Sequence, residues 1–130
     1  MNKYYFLFII LTLSSCDIMS DMGPKAKASF VIKDLKTVQT DSVTISEYPH
    51  TVRILMKGEV SDSVKVVWSY SSDSTAMAVA TNSIYSSKVL HKGKVDYVFR
   101  GDFYSKTLYF RYIPFNNTTT GDLKAQITLF

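Results

Sequence analysis

The chain has 130 residues, 46% of them apolar and 14% aromatic, and its 15 basic and 11 acidic residues give a formal charge of +4. That length suits one hydrophobic core rather than two, and the apolar content excludes a disordered chain. The basic residues are spread singly, whereas a nucleic-acid binder gathers them into a stripe or a basic helix, so no nucleic-acid partner is expected. Cys16 is the only cysteine, which rules out an intramolecular disulfide.

The chain opens with Met1-Asn2-Lys3, continues as the apolar run Tyr4 to Leu13, and reaches Cys16 through the small residues Ser14 and Ser15. A short positive segment, an apolar segment and small residues are the three parts of an export signal. The apolar run, about ten residues, is half of the roughly 20 that a permanent spanning helix needs. Leu13-Ser14-Ser15-Cys16 resembles the lipobox of bacterial lipoproteins: an aliphatic residue, two small residues and an obligatory cysteine. The resemblance implies that residues 1–15 are a signal peptide and that Cys16, carrying a diacylglyceryl thioether, becomes the first residue of the mature protein. It implies a membrane partner, held through the lipid on Cys16. The implied address is the bacterial cell envelope, with the outer membrane expected, the inner membrane as alternative, and the side left open. Each buried methylene of an acyl chain contributes about 0.8 kcal/mol, so two or more chains hold a domain that has no membrane affinity of its own. Residues 16–28 show no hydrophobic period, contain Gly23-Pro24, and read as a tether.

From Ser29 to Phe130 one domain is expected, built of short alternating segments rich in Val, Ile, Tyr, Phe and Thr. Strands are predicted at Phe30 to Val38, Ser42 to Ser46, Val52 to Val60, Val64 to Tyr70, Ile84 to Leu90, Val95 to Phe99, Thr107 to Ile113 and Leu123 to Leu129. In the clearest, Val64, Val66, Trp68 and Tyr70 share one face and Lys65, Val67 and Ser69 the other. Leu108, Phe110 and Tyr112, and later Leu123, Ala125, Ile127 and Leu129, mark further core faces, with Tyr109 and Phe130 opposite them. Thr75 to Ala80 is read as a strand, although Ala76, Met77, Ala78 and Ala80 also suit a helical turn. The connections Ser61 to Ser63, His91 to Lys94 and Asn116 to Asp122 are read as hairpin loops, with Gly93 and Gly121 supplying positive φ. The fold expected is an all-β antiparallel sandwich with immunoglobulin-like Greek-key topology, and a small β-barrel is the alternative. Trp68 resembles the core tryptophan of immunoglobulin-like domains, without their flanking cysteines.

The inventory of reactive groups is thin: two histidines, two glutamates and no thiol beyond Cys16. His50 and His91 read as loop residues, Asp62 and Asp73 as turn formers. No metal, cofactor or catalytic residue is expected, and the chain is read as a non-enzyme. Arg100-Gly101-Asp102 is read as a turn before it is read as an adhesion tripeptide. Asp41-Ser42-Val43, Asp62-Ser63-Val64 and Asp73-Ser74-Thr75 are similar to the O-glycosylation sequence of exported Bacteroidota proteins, which implies glycans on Ser42, Ser63 and Ser74. Asp-Ser turn chemistry is the competing account of the same residues. The function expected is a lipid-anchored, non-catalytic binding or assembly module packed on an envelope protein partner. The alternatives are an envelope-resident inhibitor or immunity protein, and a glycan-binding module that stacks sugar on Tyr104 or Tyr109.

Overall fold

The computed structural model describes residues 23–83 and 86–130. The export signal, Cys16 and most of the expected tether lie outside the described residues. In chain order the elements are β1 (Ala26–Val31), β2 (Gln39–Thr44), β3 (Thr51–Val60), β4 (Val64–Ser69), α1 (Ser74–Asn82), β5 (Ser87–Leu90), β6 (Gly93–Asp102), β7 (Thr107–Pro114) and β8 (Gly121–Leu129).

The strands form two four-stranded sheets, ordered β1-β8-β3-β6 and β2-β7-β4-β5, and every pairing is antiparallel. The expected all-β sandwich is present, and its sheets are separate rather than closed into a barrel. An immunoglobulin-like order sets the first two strands side by side. Here β1 pairs with β8 and β2 with β7, the wrapped eight-stranded order of a jelly roll, another Greek-key sandwich. The three connections read as hairpin loops all cross between sheets: β3 to β4, β5 to β6 and β7 to β8. Stacked sheets lie about 10 Å apart, which three extended residues can span, so polar turn residues serve a crossing as readily as a hairpin.

The alternation found in the sequence builds the core between the sheets. Val52, Ile54 and Met56 of β3 and Leu123, Ala125, Ile127 and Leu129 of β8 face Val64, Val66 and Trp68 of β4 and Leu108, Phe110 and Tyr112 of β7, all buried. Full burial of each large side chain contributes about 1.5–3 kcal/mol. Trp68, 3% exposed, lies against Phe99 of β6 with ring centroids 4.7 Å apart, so its expected core role holds. Gly58 and Gly121 let β3 and β8 approach at one end: a Cβ on Gly121 would strike the Glu59 carbonyl, and one on Gly58 the Asp122 carbonyl.

Several expected boundaries move. β1 begins at Ala26, ahead of the expected domain start at Ser29, and ends at Val31 rather than continuing to Val38. The segment 32–38 folds back as a loop because Ile32 and Leu35 are buried against the core. The Asp34 carboxylate holds that loop by accepting from the Lys36 N–H at 3.0 Å and the Thr37 hydroxyl at 3.1 Å. The Tyr112 hydroxyl donates to the Leu35 carbonyl at 2.8 Å from inside the sandwich. β6 runs through Arg100-Gly101-Asp102, which is strand and not turn, because β3 pairs with it from Thr51↔Asp102 to Val60↔Gly93. Ser87 opens β5, and Ile84 and Tyr85 lie outside the described residues.

Candidate functional site

The segment read as a strand at Thr75 to Ala80 is helix α1, and its first cause is local. The Asp73 carboxylate caps the helix, accepting from the Thr75 N–H at 2.7 Å and the Ala76 N–H at 3.3 Å. Those two bonds stabilise the charged form and hold the Asp73 carboxyl below its ordinary value. Four of the five residues from Ala76 to Ala80 are alanine or methionine, which favour helix. Met77 and Ala80, three apart on one face, pack on Val67 of β4 and Ile113 of β7. α1 therefore lies on the outer face of the second sheet and buries Val67, which strand alternation alone would leave facing solvent.

Where β4 ends at Ser69 the chain turns outward, and Tyr70, expected on the core face with Trp68, is 67% exposed. The end of β4, one side of α1 and the end of β6 enclose a cleft of about 640 Å³. Trp68 and Ala80 lie at its buried side, Tyr70 and Val79 are exposed on its rim, and Asp102 and Phe103 close it from β6. Its polar groups are of two kinds. Ser69 and Ser71 brace the bend, the Ser69 hydroxyl accepting from the Ser71 N–H at 3.3 Å and the Ser71 hydroxyl from the Asp73 N–H at 3.0 Å. The exposed Asp102 carboxylate makes no hydrogen bond or ion pair among the described residues. Among the described residues Asp73 and Asp102 are the charged groups lining the cleft, and no lysine or arginine joins them. The cleft can thus offer an aromatic face and hydrogen-bond acceptors, and it disfavours an anion.

The residues singled out in the sequence are dispersed. Ser42 is exposed on the edge strand β2, Ser63 is half-buried in the β3–β4 connection, and Ser74 is exposed as the first residue of α1. Tyr104 is exposed beside the cleft residue Phe103 and meets His50 edge-on, centroids 6.0 Å apart. Tyr109 is half-buried on the outer face of the second sheet, opposite Ser42 and Ser69. Phe130 is half-buried, with the Arg53 and Arg100 guanidiniums over its ring. His91 is exposed in the β5–β6 connection. Asp62 accepts from the Ser61 hydroxyl at 2.8 Å, while that hydroxyl accepts from the Thr120 N–H. Sequence reasoning missed Tyr70, Phe103 and Asp102 as site residues. The signal available was Asp73 followed by an alanine-rich stretch, which marks a helix start at Ser74, a short turn after Tyr70.

Among the described residues no group of three or more His, Cys, Asp or Glu side chains converges as a metal site, and no helix is long and apolar enough to cross a membrane. No protein-family model and no curated protein matches the chain. Among solved structures it is similar to a chain described as "CBM4 structure and function", with a TM-score of 0.43 at 9% identity over 80% of this chain and 71% of that one. It is also similar to one described as "Crystal structure of PirA", with a TM-score of 0.41 at 13% identity over 80% of this chain and 93% of that one. By their own geometry the described residues form a small antiparallel β-sandwich domain with helix α1 and an open cleft beside it.

Proposed function

We propose that this chain is an exported lipoprotein, anchored through lipid on Cys16, whose β-sandwich binds neutral carbohydrate in the cleft beside α1. The observation that carries the binding half is the exposed ring of Tyr70 on the rim of a cleft whose charged groups are the carboxylates of Asp73 and Asp102. A sugar ring has an apolar C–H face, which stacks on an aromatic ring, and hydroxyls that donate to carboxylates. An unpaired Asp102 beside Tyr70 supplies both, and the absence of a cation from the lining fits an uncharged sugar. The anchor half rests on the lipobox at Leu13 to Cys16.

Two measurements test the halves separately. Binding of the purified protein to a panel of neutral polysaccharides, with Tyr70→Ala as comparison, should show one ligand class held by the native protein and about tenfold weaker in the variant. Tyr70 is exposed, so its loss should leave the fold intact. Failure to bind any member of the panel, or equal binding by the variant, removes the carbohydrate reading. Intact mass of membrane-extracted protein tests the anchor: residues 16–130 plus acyl groups is expected, and an uncleaved or unlipidated chain refutes it. Hexose-sized increments on the same mass would support glycans at the exposed Ser42 and Ser74 and at Ser63.

A further inference from the structure

Strand register sets like charges opposite one another on the outer face of the first sheet. Arg53 of β3 stands opposite Arg100 of β6, and Lys57 of β3 opposite Lys124 of β8. Lys27 of β1 continues the arginine row across Thr128. All five cations are exposed, and Arg53 and Arg100 hold their guanidiniums over the Phe130 ring. Directly opposed like charges destabilise a sheet, and no carboxylate pairs with any of the five, since the ion pair among the described residues joins Lys25 to Glu47. Asp96 faces Lys57 in register without forming an ion pair, Glu59 lies between Asp122 and Lys94 at the far end, and Asp102, two residues past Arg100, sits at the corner that turns into the cleft. Cations outnumber carboxylates in the arginine and lysine rows, and the arginine row lies at the end where β1 begins. Leu55 and Val98, opposite each other, separate the arginine and lysine rows with apolar surface.

We propose that this face lies on the anionic headgroup layer of a membrane, with Lys27, Arg53, Arg100, Lys57 and Lys124 set against lipid phosphates. The choice of occupant rests on the lipid-anchored reading above, and two features support it. The Arg53 and Lys57 rows are four residues apart on one strand, about 13 Å, so a single small anion cannot serve both and a plane of headgroups can. The chain from Cys16 reaches β1 at Ala26, a span of at most about 35 Å, and enters the sheet at its basic end. Lying this way, the domain turns α1 and the outer face of the second sheet away from the membrane.

The test uses the full chain, purified in detergent and reconstituted with vesicles of phosphatidylcholine alone or with about one third phosphatidylglycerol. Amine acetylation is read by mass spectrometry at Lys27, Lys57 and Lys124, with Lys65 on the opposite sheet as internal reference. On anionic vesicles the three lysines should label several-fold less than on neutral ones, with labelling restored at about 0.5 M salt and, for Lys27, by the Arg53→Gln/Arg100→Gln variant. Equal labelling on both vesicles overturns the proposal. Protection by soluble dextran sulfate but not by anionic vesicles also overturns it and points to a polyanionic glycan instead. Failure of the anchor reading looks different: the protein then leaves neutral vesicles on flotation and stays with anionic ones.

Discussion

Val67 and Leu55 occupy equivalent positions, each pointing outward from a central strand of its sheet, yet Val67 is fully buried and Leu55 is half-exposed. Their registers are alike: Val67 lies between Arg111 and Ser87, and Leu55 between Gln126 and Val98. The difference is α1, which covers one face with Met77 and Ala80 and leaves the other bare. Period-2 alternation assigns residues to a face, but a neighbouring element decides whether that face meets water. The covered face gained a second small core and the cleft at its margin. Among the described residues the bare face kept cations without an ion-pair partner, Arg53 and Arg100 standing over the Phe130 ring.

The strongest way to break this contrast is to place the same charge at both positions. Val67→Lys buries an ammonium beneath α1 without a partner and should cost roughly 3 kcal/mol or more, read as a fall in urea midpoint. Leu55→Lys should change stability by less than about 0.5 kcal/mol. Equal, small effects would mean that α1 does not pack on the sheet in solution.

A second, smaller effect sharpens the contrast by testing a closure made by a loop instead of a helix. Tyr112→Phe removes the side-chain bond from the sandwich interior to the 32–38 loop and leaves the Leu35 carbonyl without that donor, at a cost of about 1–2 kcal/mol. Burial, and then the nearby Asp34 charge, push the Tyr112 hydroxyl up to about 12 from 10.0. A folded value raised above the unfolded one means that the neutral phenol favours the fold. Its contribution is complete below pH 10 and is lost as pH rises toward 12. Urea titrations across that window should show a shallower loss in Tyr112→Phe than in the native protein. Tyr97, also raised by burial, keeps part of the slope in both.

Much of the sandwich was legible in the sequence because its inner strands alternate strictly. β4, β7 and β8 were found within a residue or two of their ends, with their core faces. What alternation could not carry was connectivity, since Ser61-Asp62-Ser63 would serve a hairpin or a crossing between sheets equally well. α1 is read as a strand because a short run of small and apolar residues fits either period, and the Asp73 cap signal ahead of Ala76 to Ala80 is outweighed there by the strands on either side. The cleft joins Tyr70 to Asp102 and Phe103, more than 30 residues along the chain, so no local pattern announces it. Cys16, the clearest signal in the sequence, lies outside the described residues and rests on the lipobox alone.

The smallest expected effect concerns the bare face and has the opposite sign. Lys124 stands opposite Lys57 on β3 and Val31 on β1, so its register supplies a like charge and no carboxylate. Lys124→Gln relieves that repulsion while keeping an exposed polar side chain, and should stabilise the domain by a few tenths of a kcal/mol. Added salt already screens the lysine pair, so the gain should shrink at about 0.5 M ionic strength, where the Debye length is only a few ångströms. Chemical denaturation at low and high salt reads both the sign and its salt dependence. A destabilised Lys124→Gln would mean that the lysine has an attractive partner and that the face is not strained by its own charges. A stabilised one would mean that Lys124 is kept at a cost to the fold, which is what a residue serving an external anion requires.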